Sequence, residues 1–133
     1  MEICEYKNYV ESDILKLYAS VGWTAYTDDP VSLKAGFENS LLTLACFDDD
    51  RLVGIIRTVG DGNTIVYIQD VLVDPCYQRQ GIGTALIRAV LDRFKNVRQL
   101  VLTADAQPST IAFYESLGFR KLDDIGCCSF MRA

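Results

Sequence analysis

Two spacings of apolar residues occur along the chain, and they predict strands in some segments and helices in others. Alternating or continuous apolar runs bounded by turn residues predict strands at 2–6, 41–47, 51–59, 64–73, 100–103, 119–122 and 127–131. Apolar residues three and four apart predict helices at 11–20, 30–39, 81–94 and 108–117. The clearest helical stripe is formed by Ile82, Leu86, Val90 and Phe94, which recur every four residues.

Turn-forming residues mark where these elements end. The acidic run 48–50 predicts a hairpin turn, 61–63 a second turn, and 23–27 an aromatic loop. Gly118 follows the last helix, at the left-handed position that suits glycine. The resulting order, βααβββαβαββ, predicts an α/β protein with a mixed sheet and helices on both faces.

Length and composition predict one folded domain. The chain has 133 residues, of which 50% are apolar and 23% are charged, a balance typical of globular proteins and too apolar for disorder. No linker, internal repeat or low-complexity tract divides it, so we expect a single domain over 1–133.

Histidine is absent from the chain. Its absence excludes Ser-His-Asp and Cys-His nucleophile systems and every His-ligated metal site. Since there is no C-x-x-C pair either, we expect no metal. Acid–base chemistry must then use carboxylates, Tyr, Cys, Lys, backbone groups or water.

The cysteines and the apolar runs both favour a cytoplasmic protein. The cysteines are odd in number and fit no disulfide framework, which predicts reduced, mostly buried thiols. They are Cys4, Cys46, Cys76, Cys127 and Cys128. The apolar runs are shorter than a membrane span needs, and the first residues lack the basic start and apolar core of a signal peptide. We therefore expect no contact with membranes.

Charge is distributed unevenly along the chain. Residues 1–74 carry 5 Lys or Arg and 13 Asp or Glu, whereas 75–133 carry 8 and 5, so the balances are −8 and +3. This asymmetry fits a cationic ligand in the first half and an anionic one in the second, with an unevenly charged solvated surface as the alternative. The net charge of −5 and the lack of a basic run argue against nucleic-acid binding.

The segment after the strand at 64–73 has the features of a phosphate-binding loop. It matches the pattern Gln/Arg-x-x-Gly-x-Gly/Ala as Gln78-Arg79-Gln80-Gly81-Ile82-Gly83. Backbone N–H groups and a helix start converge there, the glycines let a phosphate approach, and Arg79 adds positive charge. Leu86 stands where a dinucleotide-binding motif needs glycine, and no stretch matches a P-loop. The alternative is that the glycines only tighten a strand–helix turn.

A second segment, 111–119, reads Ile-Ala-Phe-Tyr-Glu-Ser-Leu-Gly-Phe. Its pattern favours a core helix with a glycine cap, from which Tyr114 could also present its phenol to a ligand. Together with 70–86, this segment resembles the GNAT superfamily of acetyl-CoA-dependent N-acetyltransferases. The resemblance is sharpest over 70–86 and 107–120, and the order of elements agrees over the whole chain. It implies the GNAT-like acyl-CoA N-acyltransferase fold, with a central, mostly antiparallel sheet and helices on both faces.

The resemblance also implies that acetyl-CoA is the acyl donor and indicates which residues hold it. The loop that would bind the pyrophosphate comprises Gln78, Arg79, Gln80, Gly81, Ile82, Gly83 and Thr84, and the strand that would pair with the pantetheine arm comprises Val71, Leu72 and Val73. The N–H of Leu72 or Val73 would polarise the acetyl carbonyl. Tyr114 matches the tyrosine that protonates the departing thiolate, and Ser109 is the nearest match to a cofactor-contacting Asn that the family often has.

The base that deprotonates the amine needs a separate argument. Asp70 is the best carboxylate candidate because it lies on the cofactor-binding strand, and a structural hydrogen bond to neighbouring loops is the alternative. Strand alternation puts Asp70 on one face with Ile68 and Leu72, although a bulge, usual in the family, would shift that phase. Further candidates are Asp28, Asp29, Glu38 and a water chain.

Trp23 and Tyr26 are the candidate substrate-binding residues. They lie between the first two helices, where aromatic rings could line an acceptor pocket and contact a cation, with core packing as the alternative. The acidic residues Asp28 and Asp29 beside them favour a cationic amine.

The sequence therefore predicts an enzyme that moves an acetyl group directly from acetyl-CoA to a primary amine of a small molecule or peptide. Cys76 lies near the cofactor loop but lacks a basic neighbour, so no acyl-cysteine intermediate is expected. Two alternatives from other classes are a non-catalytic coenzyme-A-binding sensor or partner module and a protein-interaction domain. A homodimer is common in families like this, but no residue of the chain establishes one.

Overall fold

The chain folds into five strands and five helices. The computed structural model describes residues 1–133, which form two compact units, Met1–Thr103 and Ala104–Ala133. The first unit contains β1 (Glu2–Glu5), α1 (Glu11–Ser20), α2 (Thr24–Thr27), α3 (Pro30–Glu38), β2 (Leu42–Asp48), β3 (Arg51–Gly60), β4 (Ile65–Val73), α4 (Ile82–Arg93) and β5 (Gln99–Leu102). The second contains α5 (Pro108–Ser116) and a 3₁₀ turn at Leu122–Ile125. No helix combines the length and the apolar composition that crossing a bilayer requires.

The five strands form one sheet in the order β1-β2-β3-β4-β5. The first four are antiparallel to their neighbours, and β5 runs parallel to β4 because α4 carries the chain back across the sheet between them. The predicted α/β class and mostly antiparallel sheet are confirmed. These strands, and the predicted helices, begin and end within one residue of the positions expected from the sequence.

Helices cover both faces of the sheet, as predicted. On one face Ile55 of β3 packs in a buried cluster with Ile14 and Leu17 of α1. On the other face, a Cβ placed on the neighbouring Gly54 would lie 3.0 Å from Ile82 and 3.3 Å from Leu86 of α4. Because consecutive strand residues point to opposite faces, α1 and α4 lie on opposite sides.

One extra residue in β4 changes which side chains share a face. Arg57 pairs with Asp70 and Thr58 pairs with Ile68, so Gln69 has no partner and forms a β-bulge. Paired residues share a face and neighbours alternate, so Asp70 and Ile68 lie on opposite faces. The simple alternation expected from the sequence is therefore wrong at this point, and the phase shift that a bulge would cause is present.

The two strands predicted after α5 do not form. The N–H of Phe119 donates to the C=O of Tyr114 at 3.1 Å, in the turn that ends the helix. The N–H of Cys127 donates to the C=O of Leu122 at 2.8 Å, across the 3₁₀ turn. These local bonds use backbone groups that a strand ladder would need.

Two smaller expectations also need correction. The aromatic loop at 23–27 contains the short helix α2, because the N–H of Asp28 bonds back to the C=O of Thr24 at 2.8 Å. All five cysteines are free, but only Cys46 is buried. The others lie on the outermost strand, in the turn after β4 and beyond the last turn of the chain, where little structure covers them.

Candidate functional site

The loop predicted to bind phosphate leads from β4 into α4 through two left-handed residues. Arg79 has φ of 64° and Gly81 has φ of 81°. The first backbone bond of α4 runs from the N–H of Ala85 to the C=O of Gly81 at 2.9 Å. The N–H groups of the three residues between them therefore have no acceptor within the helix.

The space above Gly81 suits a ligand. A Cβ at this position would meet no heavy atom within 4 Å, and Gln78, Arg79 and Gln80 are exposed beside it. Ile82 differs from the rest of the loop because its side chain is 6% exposed and belongs to the core, so only its backbone is available. The loop thus combines free N–H groups, an open approach and the guanidinium of Arg79, which together fit a phosphate.

Polar contacts that were not anticipated hold this loop in place. Asp74 accepts from the N–H of Cys76 at 2.9 Å and from Arg51 at 3.0 Å. The hydroxyl of Tyr77 donates to Asp48 at 2.7 Å. Burial alone would raise the pKa of Asp74, but these two donors hold it below its ordinary value. The loop is therefore tied to the β2–β3 hairpin by an ionised carboxylate.

One edge of β4 is left without a neighbouring strand. β5 pairs with β4 only from Ile65 to Ile68. Beyond Ile68, β4 is paired with β3 alone. The pantetheine arm was predicted to bind along this part of the strand. The geometry leaves room on that edge for an added, extended chain.

The open edge presents the backbone of Val71 and Val73 but not that of Leu72. The N–H of Asp74 donates to the C=O of Val53 on β3 at 2.8 Å. Hydrogen-bonded pairs alternate along an antiparallel ladder, so Leu72 also directs its N–H and C=O to β3. The prediction that the N–H of Leu72 polarises the acetyl carbonyl therefore conflicts with the strand pairing. Val73 stays the candidate for that role, and the N–H of Val71 also points to the open edge.

Gln78 connects the open edge to the loop. Its side-chain amide donates to the C=O of Val73 at 3.1 Å. This contact agrees with the strand pairing, because it shows that the backbone C=O of Val73 points away from β3. It also places the first loop residue directly at the end of the free edge.

Asp70 is buried in a polar network on the face covered by α1 and α2. Its Oδ2 accepts from the hydroxyl of Tyr18 at 2.9 Å and from Nε of Arg57 at 2.8 Å. Its Oδ1 accepts from the hydroxyl of Tyr26 at 2.8 Å. The residue is 2% exposed. Asp70 was considered either as the general base or as a structural hydrogen-bond acceptor. These contacts show the structural hydrogen bonds.

The two aromatic candidates for the acceptor site lie beside this network. Trp23 and Tyr26 are half-buried and pack against the cluster under α1, with ring centroids 6.1 Å apart. The ring of Tyr26 packs in the core, while its hydroxyl donates to Asp70 at 2.8 Å and accepts from Gln69 at 3.2 Å. The contacts of Trp23 are core contacts.

The second unit carries Tyr114 and Ser109, both on α5. The ring of Tyr114 makes edge-to-face contacts with Phe113 and Phe119, at centroid distances of 5.1 and 5.8 Å. Burial raises the pKa of Tyr114, so its phenol stays protonated beyond its ordinary range. Ser109 is exposed in the first turn of the helix.

The remaining candidate bases are surface carboxylates that do not contact Asp70. Asp28, Asp29 and Glu38 are all exposed, and Asp29 caps α3 by accepting from the N–H of Ser32 at 3.2 Å. None of the three has a hydrogen bond to the Asp70 network. No group of three or more Cys, Asp or Glu side chains is arranged to hold a metal ion.

Arg57 and Tyr18 were not predicted from the sequence. A signal for Arg57 was present. Apart from Arg51 at the first position of β3, Arg57 and Asp70 are the only charged residues in two apolar strands, on either side of the turn at 61–63. Opposite charges in adjacent antiparallel strands would have predicted their pairing. No comparable signal marks Tyr18, which follows the helical apolar pattern of α1.

The free edge of β4 and the loop at the start of α4 together have a geometry that fits an extended ligand carrying phosphate. Residues 23–129 match the family model for the acetyltransferase (GNAT) domain. The chain therefore belongs to the GNAT family of acetyltransferases.

Individual relatives agree with this assignment. An uncharacterized ycf52-like N-acetyltransferase from Prochlorococcus marinus is 34% identical over 128 residues, which are 91% of this chain and 68% of the relative. The solved structure of a GNAT family acetyltransferase from Streptococcus pneumoniae is 36% identical, with a TM-score of 0.90 over 99% of this chain and 96% of that one. The complex of AAC(6')-Iy with the bisubstrate analog CoA-S-monomethyl-acetylneamine shares the fold at 15% identity, with a TM-score of 0.76 over 99% and 97% of the chains.

Proposed function

We propose that this protein transfers an acetyl group from acetyl-CoA directly to a primary amine of a small molecule or peptide. The observation that carries the proposal is the continuity of the free β4 edge at Val71 and Val73 with the loop around Gly81. An extended pantetheine arm can pair with the first while its pyrophosphate binds the second. The resemblance to the family supplies the identity of this ligand.

Three parts of the loop would bind the pyrophosphate. The free N–H groups at the start of α4 donate to the phosphate oxygens, and the helix dipole favours their negative charge. Arg79 is placed to add a charge-assisted contact. Gly81 leaves the approach open because it has no side chain.

The backbone of β4 would also act on the reacting group. As the amine attacks the thioester, the carbonyl oxygen gains negative charge, and an outward N–H of Val71 or Val73 can stabilise it. A backbone donor held by the β3–β4 ladder needs no reorganisation when that charge develops. Tyr114, on α5, would then protonate the sulfur as it leaves.

The charge of residues 1–74 favours a cationic acceptor. The first half of the sequence has a balance of −8. Asp70 is an oriented carboxylate with the half-buried Tyr26 between it and the surface. A protonated amine would be attracted by the acidic balance of this half of the chain, and the Tyr26 hydroxyl could accept a hydrogen bond from it. A cytoplasmic location, a single domain and a homodimer stay predictions of the sequence.

The proposal is tested by calorimetric titration of the protein with acetyl-CoA, followed by a thiol-release assay with a panel of amines. Desulfo-CoA serves as the control for thiol chemistry. Saturable binding and amine-dependent release of coenzyme A are expected. Binding without turnover on any amine would support a coenzyme-A-binding module instead, and absence of binding at millimolar cofactor would contradict both.

Gly81→Val should weaken acetyl-CoA binding while the chain stays folded. The valine side chain would occupy the space through which the phosphate reaches the backbone, and it would also be strained at a φ of 81°. Calorimetry should show a lower affinity than for the unchanged protein.

Gly22→Val is the matched control because Gly22 has a φ of 76°, and a Cβ placed on it would also meet no heavy atom within 4 Å. It carries the same kind of backbone strain outside the loop, so it should lower the melting temperature without lowering affinity. Equal affinities for the two variants would show that the phosphate loop lies elsewhere.

A further inference from the structure

The Asp70 carboxylate cannot touch an amine bound at the surface. It is 2% exposed, and three donors from three different elements surround it. These are Tyr18 of α1, Tyr26 of α2 and Arg57 of β3. If Asp70 is to receive a proton, the proton must travel through one of these partners.

Of the three, only Tyr26 can carry a proton between the surface and Asp70. Arg57 also donates to the half-buried Ser40 at 3.3 Å, but a guanidinium keeps its protons. Tyr18 is 0% exposed and Arg57 is 6% exposed, whereas Tyr26 is half-buried. The hydroxyl oxygen of Tyr26 also accepts from the amide of Gln69, an exposed residue, at 3.2 Å. The path along which a proton can move between solvent and the carboxylate therefore passes through one phenol.

The bulge in β4 places this path next to the free strand edge. Gln69 is the unpaired residue of the bulge, and Val71, two residues later, presents its N–H to the open edge. An acetyl carbonyl at that N–H would bring the attacking amine to the same part of the strand. The hydroxyl of Tyr26 lies at this part of the strand because hydrogen bonds to the side chains of Gln69 and Asp70 hold the hydroxyl there.

We propose that Tyr26 passes the proton of the acceptor amine to Asp70, an inference that rests on the proposed function. The ammonium N–H donates to the Tyr26 oxygen, and its proton moves there as the phenolic proton moves to Asp70 Oδ1. The amine keeps the electron pair of its broken N–H bond and uses it to attack the acetyl carbonyl. Tyr26 is neutral before and after the step, and Asp70 becomes a neutral acid that later returns the proton to water.

The chemistry of the hydroxyl permits this transfer. A hydroxyl has one donor and two acceptor positions, so Tyr26 can donate to Asp70, accept from Gln69 and still accept from the amine. Burial is the largest of the influences that raise the pKa of Tyr26, so the phenol is not itself an ionised base. A neutral group that gives one proton as it gains another can serve as the link.

The charged and titratable groups that contact Asp70 come from three elements, and they determine which groups carry charge once Asp70 has taken up the proton. Tyr18 and Tyr26 face it from α1 and α2, and Arg57 faces it from β3. α3 presents no charged group to this network. The ring of Phe37 lies 5.4 Å from the Arg57 guanidinium, Gly36 is close to the same group, and Ser40, just after the helix, accepts from Arg57 at 3.3 Å. Arg57 keeps the carboxylate oriented, and both tyrosines stay neutral.

Tyr26→Phe tests the proposal because it keeps the aromatic ring and removes the hydroxyl that would relay the proton. At neutral pH it should lower kcat/KM for the amine by roughly 10²-fold, with acetyl-CoA affinity unchanged. The loss should shrink as the pH approaches the pKa of the amine, where the free base forms without help. A residue with only a structural role would give the same loss at every pH.

Tyr18→Phe and Tyr9→Phe are the comparison variants. Tyr18→Phe also removes a hydroxyl bound to Asp70, but one with no path to the surface, so its loss should be several-fold smaller than that of Tyr26→Phe. Tyr9→Phe removes a hydroxyl without a partner and should leave turnover unchanged.

Two results would overturn the proposal. Equal losses for the Tyr18 and Tyr26 variants would mean that both hydroxyls merely hold the carboxylate. A pH-independent loss in Tyr26→Phe would mean the same. If the unchanged protein binds acetyl-CoA but acetylates no amine, the proposed function itself fails and the relay with it, whereas an active protein with a fully active Tyr26→Phe variant removes only the relay.

Discussion

Tyr114→Phe is expected to lower kcat by roughly 10²- to 10⁴-fold while acetyl-CoA binding is kept. The departing thiolate needs a proton, and a phenol with an ordinary pKa of about 10 is matched to a thiol as its donor. Burial raises the pKa of Tyr114 further, so the acid form is fully present at neutral pH. Phenylalanine keeps the ring that packs between Phe113 and Phe119 and removes only the proton donor.

The measurement is kcat under conditions where chemistry limits turnover, with calorimetry for the cofactor. Because the folded pKa is raised, activity of the unchanged protein should fall only as the pH rises above the ordinary tyrosine range, and the variant should lack that decline. Tyr9→Phe is the control for loss of a hydroxyl elsewhere. An unchanged kcat would remove Tyr114 from the acid role.

Arg57→Met should lower the free energy of unfolding by about 3–5 kcal/mol. The variant keeps a side chain of similar length but leaves the Asp70 carboxylate, 2% exposed, without its ionic partner. A buried charge without compensation is much more costly than the pair is beneficial. Urea unfolding at neutral pH, followed by circular dichroism, measures the change.

Arg93→Met provides the matched comparison. Its partner is Glu5, and the two side chains are 55% and 37% exposed. Exposed ion pairs are screened by solvent and contribute little, so this variant should unfold close to the unchanged protein. A loss for Arg57→Met as small as that for Arg93→Met would mean that water reaches Asp70 and that the network is not sealed.

Local features of the sequence were enough to predict most of the first unit. Apolar periodicity and turn residues act over a few neighbouring positions, so the elements from Glu2 to Leu102 agree with the structure within one residue apart from α2. The loop proposed to bind phosphate could be located for the same reason, because its glycines and the helix that follows are contiguous. The strands expected near the end of the chain failed because a strand needs a partner, and the pattern of 119–131 contains no information about one.

The composition and local patterns of the sequence by themselves determined the absence of histidine chemistry, the mixed sheet and the position of the glycine-containing loop before α4. Tertiary structure alone decided three features of the site: the bulge at Gln69, the outward backbone of Val71 and Val73, and the burial of Asp70 among Tyr18, Tyr26 and Arg57. The physical reason is that pairing register and side-chain contacts join residues far apart in the chain. A single unpaired residue reverses the faces of every residue on one side of it.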